Sequence, residues 1–386
     1  MNYYPISASS RQQLRQTLRQ LKQYNIKYSS CYQLEQEFYV LLSCNDNIHN
    51  LEAYIPPVDL FDQLNTPLAM LWNWAYSELI QDLNWLKFED NTQTNVNCAN
   101  LTHQQTKIAR SFLPLTESML IINQTPDSFS DGGEFFQQID KTLIQIENAL
   151  KDGVSIIDIG AESTRPGASY LTPEEEIQRL NTIICAIQDL RYNYKFKLSL
   201  DSYKAETIQH FLPMIDIVND VSANLPLSCL ERICAEDKIY LFMHSLSVPA
   251  NPKLTLNIEL NPIDEINRWL NKKLLQLIDF GFQPQQLISD PGIGFNKTMN
   301  QSWYLLKHIQ QLQSDKIEML VGHSRKRFLN KINSSTEAIQ RDNESANIAC
   351  YLASQGVDYI RLHNYQIYHQ QIMSQNQLQN NYQFKR

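Results

Sequence analysis

From Met119 onward the chain is patterned in blocks of apolar residues, not in single alternations. The run Met119-Leu120-Ile121-Ile122 is unbroken and ends in Asn123, where a loop rich in Thr, Pro, Asp, Ser and Gly begins. A short continuous apolar run bounded by turn residues reads as a strand buried on both faces. The same pattern recurs and predicts strands over 118–123, 155–159, 196–200, 215–219, 238–243, 286–289, 318–322 and 358–362. Amphipathic stretches long enough for helices lie between them, among them Thr172–Leu190, Pro262–Phe280 and Asn343–Gln355. Thr172 followed by Pro173 and by Glu174, Glu175 and Glu176 is a helix start, with a hydroxyl cap, a proline at the first position and carboxylates at the positive end of the dipole. Eight strand–helix units over about 265 residues suit an α/β fold of the (β/α)8 TIM-barrel kind, whose usual size is about 250 residues. An open doubly wound sheet is the alternative.

The first 90 residues have a different texture and predict a small α+β module. Arg11–Tyr24 is a helix candidate with Leu14, Leu18 and Leu21 on one face, Gln36–Ser43 suits a strand, and Pro67–Leu83 suits a second helix. Residues 89–107 are rich in Asn, Thr and Gln and carry no apolar period, which reads as a linker. The expected division is a module over 1–90, a linker over 91–112 and a barrel over 113–386.

Composition narrows the function. A net charge of −8 and a pI near 5.5 argue against a nucleic acid or an anionic membrane as the main partner. The amino terminus lacks an apolar signal-peptide core, and no run reaches the roughly 18 apolar residues of a membrane span. The seven cysteines are scattered and contain no Cys-x-x-Cys, so reduced thiols in a cytoplasmic protein are expected.

The candidate chemistry sits where the apolar runs end. Asn123 to Gly133 follows the first run, Asp158 to Gly167 the second, Asp201 to Lys204 the third and Asn219 to Ser222 the fourth. Met243-His244, Asp290 to Phe295, Gly322 to Arg327 and Arg361-Leu362-His363 follow the others. A barrel brings all eight carboxyl ends to one face. There, Asp201, Asn219 and Asp290 supply acceptors and an amide for an amino- and oxo-substituted heterocycle. Arg361, His363 and Ser324-Arg325-Lys326 supply positive charge after strands seven and eight, where barrel enzymes frequently hold phosphate. Asn123 offers a neutral oxygen to Mg²⁺ that keeps several waters and is otherwise held by substrate phosphates. A heterocycle beside a metal-bound polyphosphate suggests loss of pyrophosphate as leaving group. Each element has a plainer reading. A strand-end Asp also caps helices, Ser-Arg-Lys-Arg is often a solvated run, and His244 suits a packing role. Asp127 and Asp131 suit turns, and Asp158 suits orienting the second loop. The coincidence of polar segments at successive strand ends favours the site.

The segments NQTPDSFSDGG, DIGAESTRPGA, SLDSYKAE, IVNDVSA, FMHS, SDPGIGFNKT, VGHSRKRF and YIRLHN, in that order, resemble the dihydropteroate synthases over residues 118 to about 370. The resemblance implies a pterin-binding barrel that condenses 6-hydroxymethyl-7,8-dihydropterin diphosphate with p-aminobenzoate, releasing pyrophosphate and 7,8-dihydropteroate. It implies Asn123 as the Mg²⁺ ligand. It implies that Asp201, Asn219, Asp290 and Lys326 hold the pterin, and that Arg361 and His363 bind the diphosphate. Thr164 then touches the diphosphate-bearing substrate, Arg165, Pro166 and Ser324 border p-aminobenzoate, and Asp127 and Phe129 on the first loop close over the site. Asp127, Thr164, Arg165 and Lys326 are the catalytic candidates. The family is usually homodimeric and is the target of sulfonamides.

Departures from the family pattern are Gln124, Ala161, Ser202, Ala223, Asn296 and Asn364. Alanine for glycine shifts a loop if φ there is positive. Two other functions compete: a non-catalytic pterin-binding scaffold, and a barrel that passes methyl from a reduced folate to a corrinoid. The Ser-Arg-Lys and Arg-x-His clusters favour the synthase. Leu14–Leu34 bears a faint resemblance to the first helix and strand of the pyrophosphokinase often fused to this enzyme. That kinase's Asp-x-Asp is absent before residue 112, so a structural or interaction role is expected for the module.

Overall fold

The computed structural model describes residues 2–8, 28–34, 37–44, 116–123, 135–162 and 170–379, less 252, 313, 315 and 334–336. The chain divides into two compact units at Leu115/Thr116. In the first, strands Asn2–Ala8, Glu37–Cys44 and Tyr28–Leu34 form an antiparallel sheet with Glu37–Cys44 in the middle. Pro5 lies on an edge strand, where a missing N–H breaks no interior ladder. The strand expected over 36–43 is the central one. The helices expected over 11–24 and 67–83, and the linker over 91–112, lie outside the described residues.

The second unit is a closed barrel of eight parallel strands. They are β1 (Glu117–Asn123), β2 (Ile156–Gly160), β3 (Lys197–Asp201), β4 (Ile217–Asp220), β5 (Ile239–Met243), β6 (Leu287–Asp290), β7 (Glu318–Gly322) and β8 (Tyr359–Leu362). The helices that follow them in turn are α1 (Phe135–Lys151), α2 (Pro173–Leu190), α3 (Ala205–Phe211), α4 (Leu227–Ala235), α5 (Pro262–Phe280), α6 (Met299–Lys307), α7 (Asp342–Ser354) and α8 (Tyr365–Gln379). Each expected strand is present within two residues of its expected ends, and pairing of β8 with β1 closes the barrel, which removes the open-sheet alternative.

Local chemistry starts the helices where the pattern placed them. Thr172 caps α2 by a reciprocal box: its hydroxyl accepts from Glu175 N at 3.3 Å, and the Glu175 carboxylate accepts from Thr172 N at 2.8 Å. Asn261 accepts from Ile263 N at 3.0 Å at the head of α5, and Gly281 (φ +125°) ends that helix.

Side chains alternate faces along each strand. One set faces the helices, where Leu120, Ile157, Leu198, Val218 and Phe242 join one apolar layer and Val321 and Ile360 another. The other set faces the barrel axis. Met119, Ile156, Ile217, Leu241, Ile288, Leu320 and Tyr359 pack together there as an apolar plug. The next inward residue on each of these strands, two positions later, is Ile121, Asp158, Asn219, Met243, Asp290, Gly322 or Arg361. The plug fills the barrel floor and leaves the polar set at its mouth.

Candidate active site

Asp158 is the hub beneath the mouth. Its side chain is fully buried, and it accepts from Ser199 Oγ at 2.5 Å, from Asn219 Nδ2 at 3.2 Å and from Arg361 Nε at 2.6 Å. A buried carboxylate is tolerable only with such partners. Asp158 thus orients Asn219 and Arg361 across the barrel, a role beyond the second loop that strand-end position alone suggested. Arg361 turns its Nη2 to Asp201 Oδ2 at 2.6 Å. Burial would lower the Arg361 pKa, but the Asp158 and Asp201 carboxylates outweigh it and raise the value. Burial, aided by the neighbouring Asp158 and Glu176 charges, pushes the Asp201 carboxyl up to about 7 against the pull of Arg361.

Lys326 is aimed by the loop after β6. Its Nζ donates to Ile293 O at 2.6 Å and stands 4.6 Å from the centre of the Phe295 ring. Asp290 is buried below, with Oδ1 accepting from Gly292 N at 2.7 Å, and burial raises its pKa against the pull of Lys326. Ser324 Oγ accepts from His363 N at 3.2 Å and lies 3.0 Å from His363 Nδ1. Arg325, held at φ +59°, grips Asp342 through Nε at 2.6 Å and Nη2 at 2.8 Å, which fixes the backbone between Ser324 and Lys326. Of the Ser-Arg-Lys-Arg run only Arg327 is exposed.

These side chains surround a cavity of about 760 Å³. Asn123, Asp201, Ser324, Lys326, Arg361 and His363 line it together. Asn219 and Asp290 lie just under it, each 3 to 5% exposed. Asp127, Phe129, Thr164, Arg165 and Pro166 lie outside the described residues. The volume suits a small bicyclic ligand with a charged tail.

Sequence reasoning missed three other groups at the mouth. Glu162 lines the cavity and shares the buried Lys204 ammonium with Glu176, while accepting from Tyr203 Oη at 2.6 Å and from Leu171 N at 3.1 Å. Lys297 is buried, with Nζ 3.1 Å from His244 Nδ1 and donating to Phe295 O at 2.9 Å. Burial pulls the Lys297 pKa down to about 7, and burial beside that ammonium pulls His244 down to about 3. His244 also meets the Trp269 ring edge-on, so the packing role fits it. Asn296 is the third and ties two loops together. For Glu162 and Lys204 the signal was present, a Glu and a Lys in the segments after β2 and β3. Their meeting is a tertiary fact.

The family model described as "Pterin binding enzyme" matches residues 119–363, a span that begins at the barrel floor and ends at His363. The chain belongs to the dihydropteroate synthase family of pterin-binding enzymes. A dihydropteroate synthase from Neisseria meningitidis serogroup C is 32% identical over 250 residues, which are 64% of this chain and 87% of that protein. Two solved dihydropteroate synthases superpose on the barrel. The one from Anaplasma phagocytophilum, with bound 6-hydroxymethylpterin-monophosphate, has a TM-score of 0.60 at 29% identity and covers 68% of this chain and 99% of its own. The one from Xanthomonas albilineans, with 4-aminobenzoic acid, has a TM-score of 0.61 at 26% identity and covers 68% and 93%.

Within this family the departures now have structural readings. Ala161 has an ordinary φ, but Ala223 is held at φ +50° and carries the strain that glycine avoids. Ser202 accepts from Lys204 N at 3.2 Å and donates to Glu176 at 3.0 Å, so its hydroxyl is used without a methyl. Asn364 donates to Asp342 Oδ2 at 3.1 Å, where a carboxylate would repel. Gln124 lies outside the described residues.

Proposed function

We propose that this chain is a dihydropteroate synthase of folate biosynthesis, a transferase that joins a pterin diphosphate to p-aminobenzoate and releases pyrophosphate. The observation that carries it is the convergence of Asn123, Asp201, Ser324, Lys326, Arg361 and His363 on one cavity. The ligands of the two solved relatives, a pterin phosphate and 4-aminobenzoic acid, support the same substrates here.

In this reading the heterocycle stands over the apolar plug, with Asp201 and Asn219 as hydrogen-bond partners and Lys326 against its rim. Asp290, buried beside them, completes the set that holds the pterin. The diphosphate runs toward His363 and Arg361, whose charge favours its departure. The carbon–oxygen bond to diphosphate breaks, the aryl amine forms the carbon–nitrogen bond, and its proton is lost to solvent. Ser324 borders the p-aminobenzoate. Thr164, Arg165, Pro166, Asp127 and Phe129 complete the site as the family resemblance implies, the last two by excluding water.

Mg²⁺ fits the residues present. Asn123 is an exposed neutral oxygen ligand on the cavity wall, and no group of three His, Cys, Asp or Glu among the described residues forms a protein cage. That is the donor set of an ion held mainly by water and phosphate, and its chemistry is to neutralise charge on the leaving oxygen. A homodimer and a cytoplasmic site of action belong to the same reading. No helix among the described residues is long and apolar enough to cross a membrane.

Calorimetry with pterin diphosphate and Mg²⁺, followed by a pyrophosphate-release assay with p-aminobenzoate, tests the proposal. Binding and release are expected from the full chain. Binding without release would leave a scaffold, and no binding of the diphosphate would remove the synthase reading. Asp201→Ala and Lys326→Ala are expected to cut turnover by orders of magnitude while circular dichroism stays that of a folded barrel. Normal activity in either purified variant overturns its assignment.

A further inference from the structure

The loop after β5, residues 244–256, forms part of the cavity wall through Ala250, Asn251, Leu254 and Thr255. It has little regular structure, and most of its own bonds are short-range: Ser245 Oγ to Ser247 O, Asn251 N to Ser247 Oγ, Lys253 N to Asn251 Oδ1. A wall tied only to itself would not hold a rigid ligand in one place.

The two ends of the loop are tied by His244 N to Asp290 O at 2.9 Å and by Gln301 Nε2 to Leu256 O at 3.1 Å, and one side chain from the neighbouring loop ties the stretch between them. Asn296 Oδ1 accepts from Leu246 N at 3.0 Å and Ser247 N at 3.1 Å. Its Nδ2 donates to Ser247 Oγ at 3.2 Å, Asn251 O at 3.1 Å and Leu254 O at 3.1 Å. Its own carbonyl accepts from Leu256 N at 3.0 Å. Asn296 is 5% exposed, and its carboxamide uses both its acceptor and its donor sides. Reaching it requires φ +49° at Asn296, a left-handed conformation that asparagine tolerates better than most residues. The chain neighbours of Asn296 are Phe295, which faces Lys326, and Lys297, which binds His244. The clamp therefore joins the β5 loop to the segment that aims Lys326.

We propose that Asn296 is a positioning residue for the pterin end of the site. It holds the β5 loop as a fixed wall against the heterocycle while leaving the p-aminobenzoate side untouched. A glycine there keeps the backbone angle and discards every side-chain tie. The inference rests on the synthase reading for its ligand, but the clamp itself is a property of the free protein.

The test uses Asn296→Gly, which keeps φ, and Asn296→Asp, which keeps the acceptor oxygens and loses the donations. In the ligand-free full chain, hydrogen exchange at the Leu246 and Ser247 amides is expected to speed up at least tenfold in Asn296→Gly and less in Asn296→Asp. With substrates, the KM for pterin diphosphate is expected to rise about tenfold in Asn296→Gly, and that for p-aminobenzoate less than twofold. A tenfold change is about 1.4 kcal/mol, within what the loss of several hydrogen bonds supplies. If Asn296→Gly fails to fold, the smaller exchange and KM shifts of Asn296→Asp decide the matter. Unchanged exchange, or equal rises in both KM values, overturns the proposal. A wild-type chain that shows the protected amides but binds no pterin diphosphate instead overturns the functional reading and leaves the clamp standing.

Discussion

Arg361 Nη2 meets Asp201 Oδ2 at 2.6 Å, although the two residues belong to strands 160 positions apart in sequence. The same guanidinium meets Asp158 at 2.6 Å, so it serves two buried acids and cannot fully offset burial at either.

That sharing makes pterin affinity depend on pH. Asp201 must be ionised to accept from a heterocycle N–H, and its carboxyl is pushed up to about 7. The dissociation constant of pterin diphosphate is expected to weaken about tenfold as pH falls from about 8 to about 6. In Asp201→Asn that dependence should vanish. The sign for stability is opposite. Because the folded pKa is raised, Asp201 contributes stability that is complete below about 3.8, its unfolded value, and lost as pH rises through about 7. Calorimetric titrations at several pH values check the first point, and thermal unfolding the second.

Two glycines of the β6 loop should behave differently when replaced by alanine. A Cβ on Gly292, at φ +66°, would sit 2.0 Å from the backbone oxygen of His244, which cannot move aside. On Gly294, at φ +78°, it would meet Lys326 Cδ at 3.0 Å, and a lysine side chain can yield. Gly292→Ala is expected to prevent stable folding. Gly294→Ala is expected to fold at a cost of about 1–2 kcal/mol and to lose pyrophosphate release, because Lys326 is displaced. Melting curves and the release assay separate the two.

The two alanines at positions where the resemblance implies glycine should also differ. Ala161→Gly loses a buried methyl and gains unfolded-state entropy, costing about 1–2 kcal/mol. At Ala223 relief of the left-handed strain, worth about 1–2 kcal/mol, offsets the same losses. Ala223→Gly is therefore expected to leave the unfolding midpoint nearly unchanged. Denaturant unfolding of the pair measures the contrast.

Lys204 sits between Glu162 and Glu176, with all three side chains at most 5% exposed. Removing the cation while keeping its bulk, as in Lys204→Met, strands two buried carboxylates. A loss of about 3–5 kcal/mol is expected, read as a drop in the unfolding midpoint. A midpoint within the error of wild type would show that water reaches the pair.

Much of the barrel was legible because its strands are buried on both faces and so appear as unbroken apolar runs. The site was legible in part for a related reason. Ile156 and Asp158, Ile217 and Asn219, Ile288 and Asp290, and Tyr359 and Arg361 are each two residues apart, and in a pleated strand that spacing puts both on one face. The head of α2 was legible from Thr172 and the proline and acids that follow it, whereas the Asn261 cap of α5 came only with the structure. In the first unit the central strand was read, but no period marked the edge strand Asn2–Ala8, which contains Pro5.

By itself the sequence determined which residues face the axis and which strand end each polar group occupies, because both follow from local periodicity and chain order. Only the tertiary structure decided the pairings across the barrel: Asp158 with Arg361, Glu162 with Lys204, Asn296 with the β5 loop. Those bonds depend on barrel closure and on loop paths, where the partners lie 42 to 203 residues apart. A pattern with a period of two or 3.6 residues carries no information about contacts at such separations.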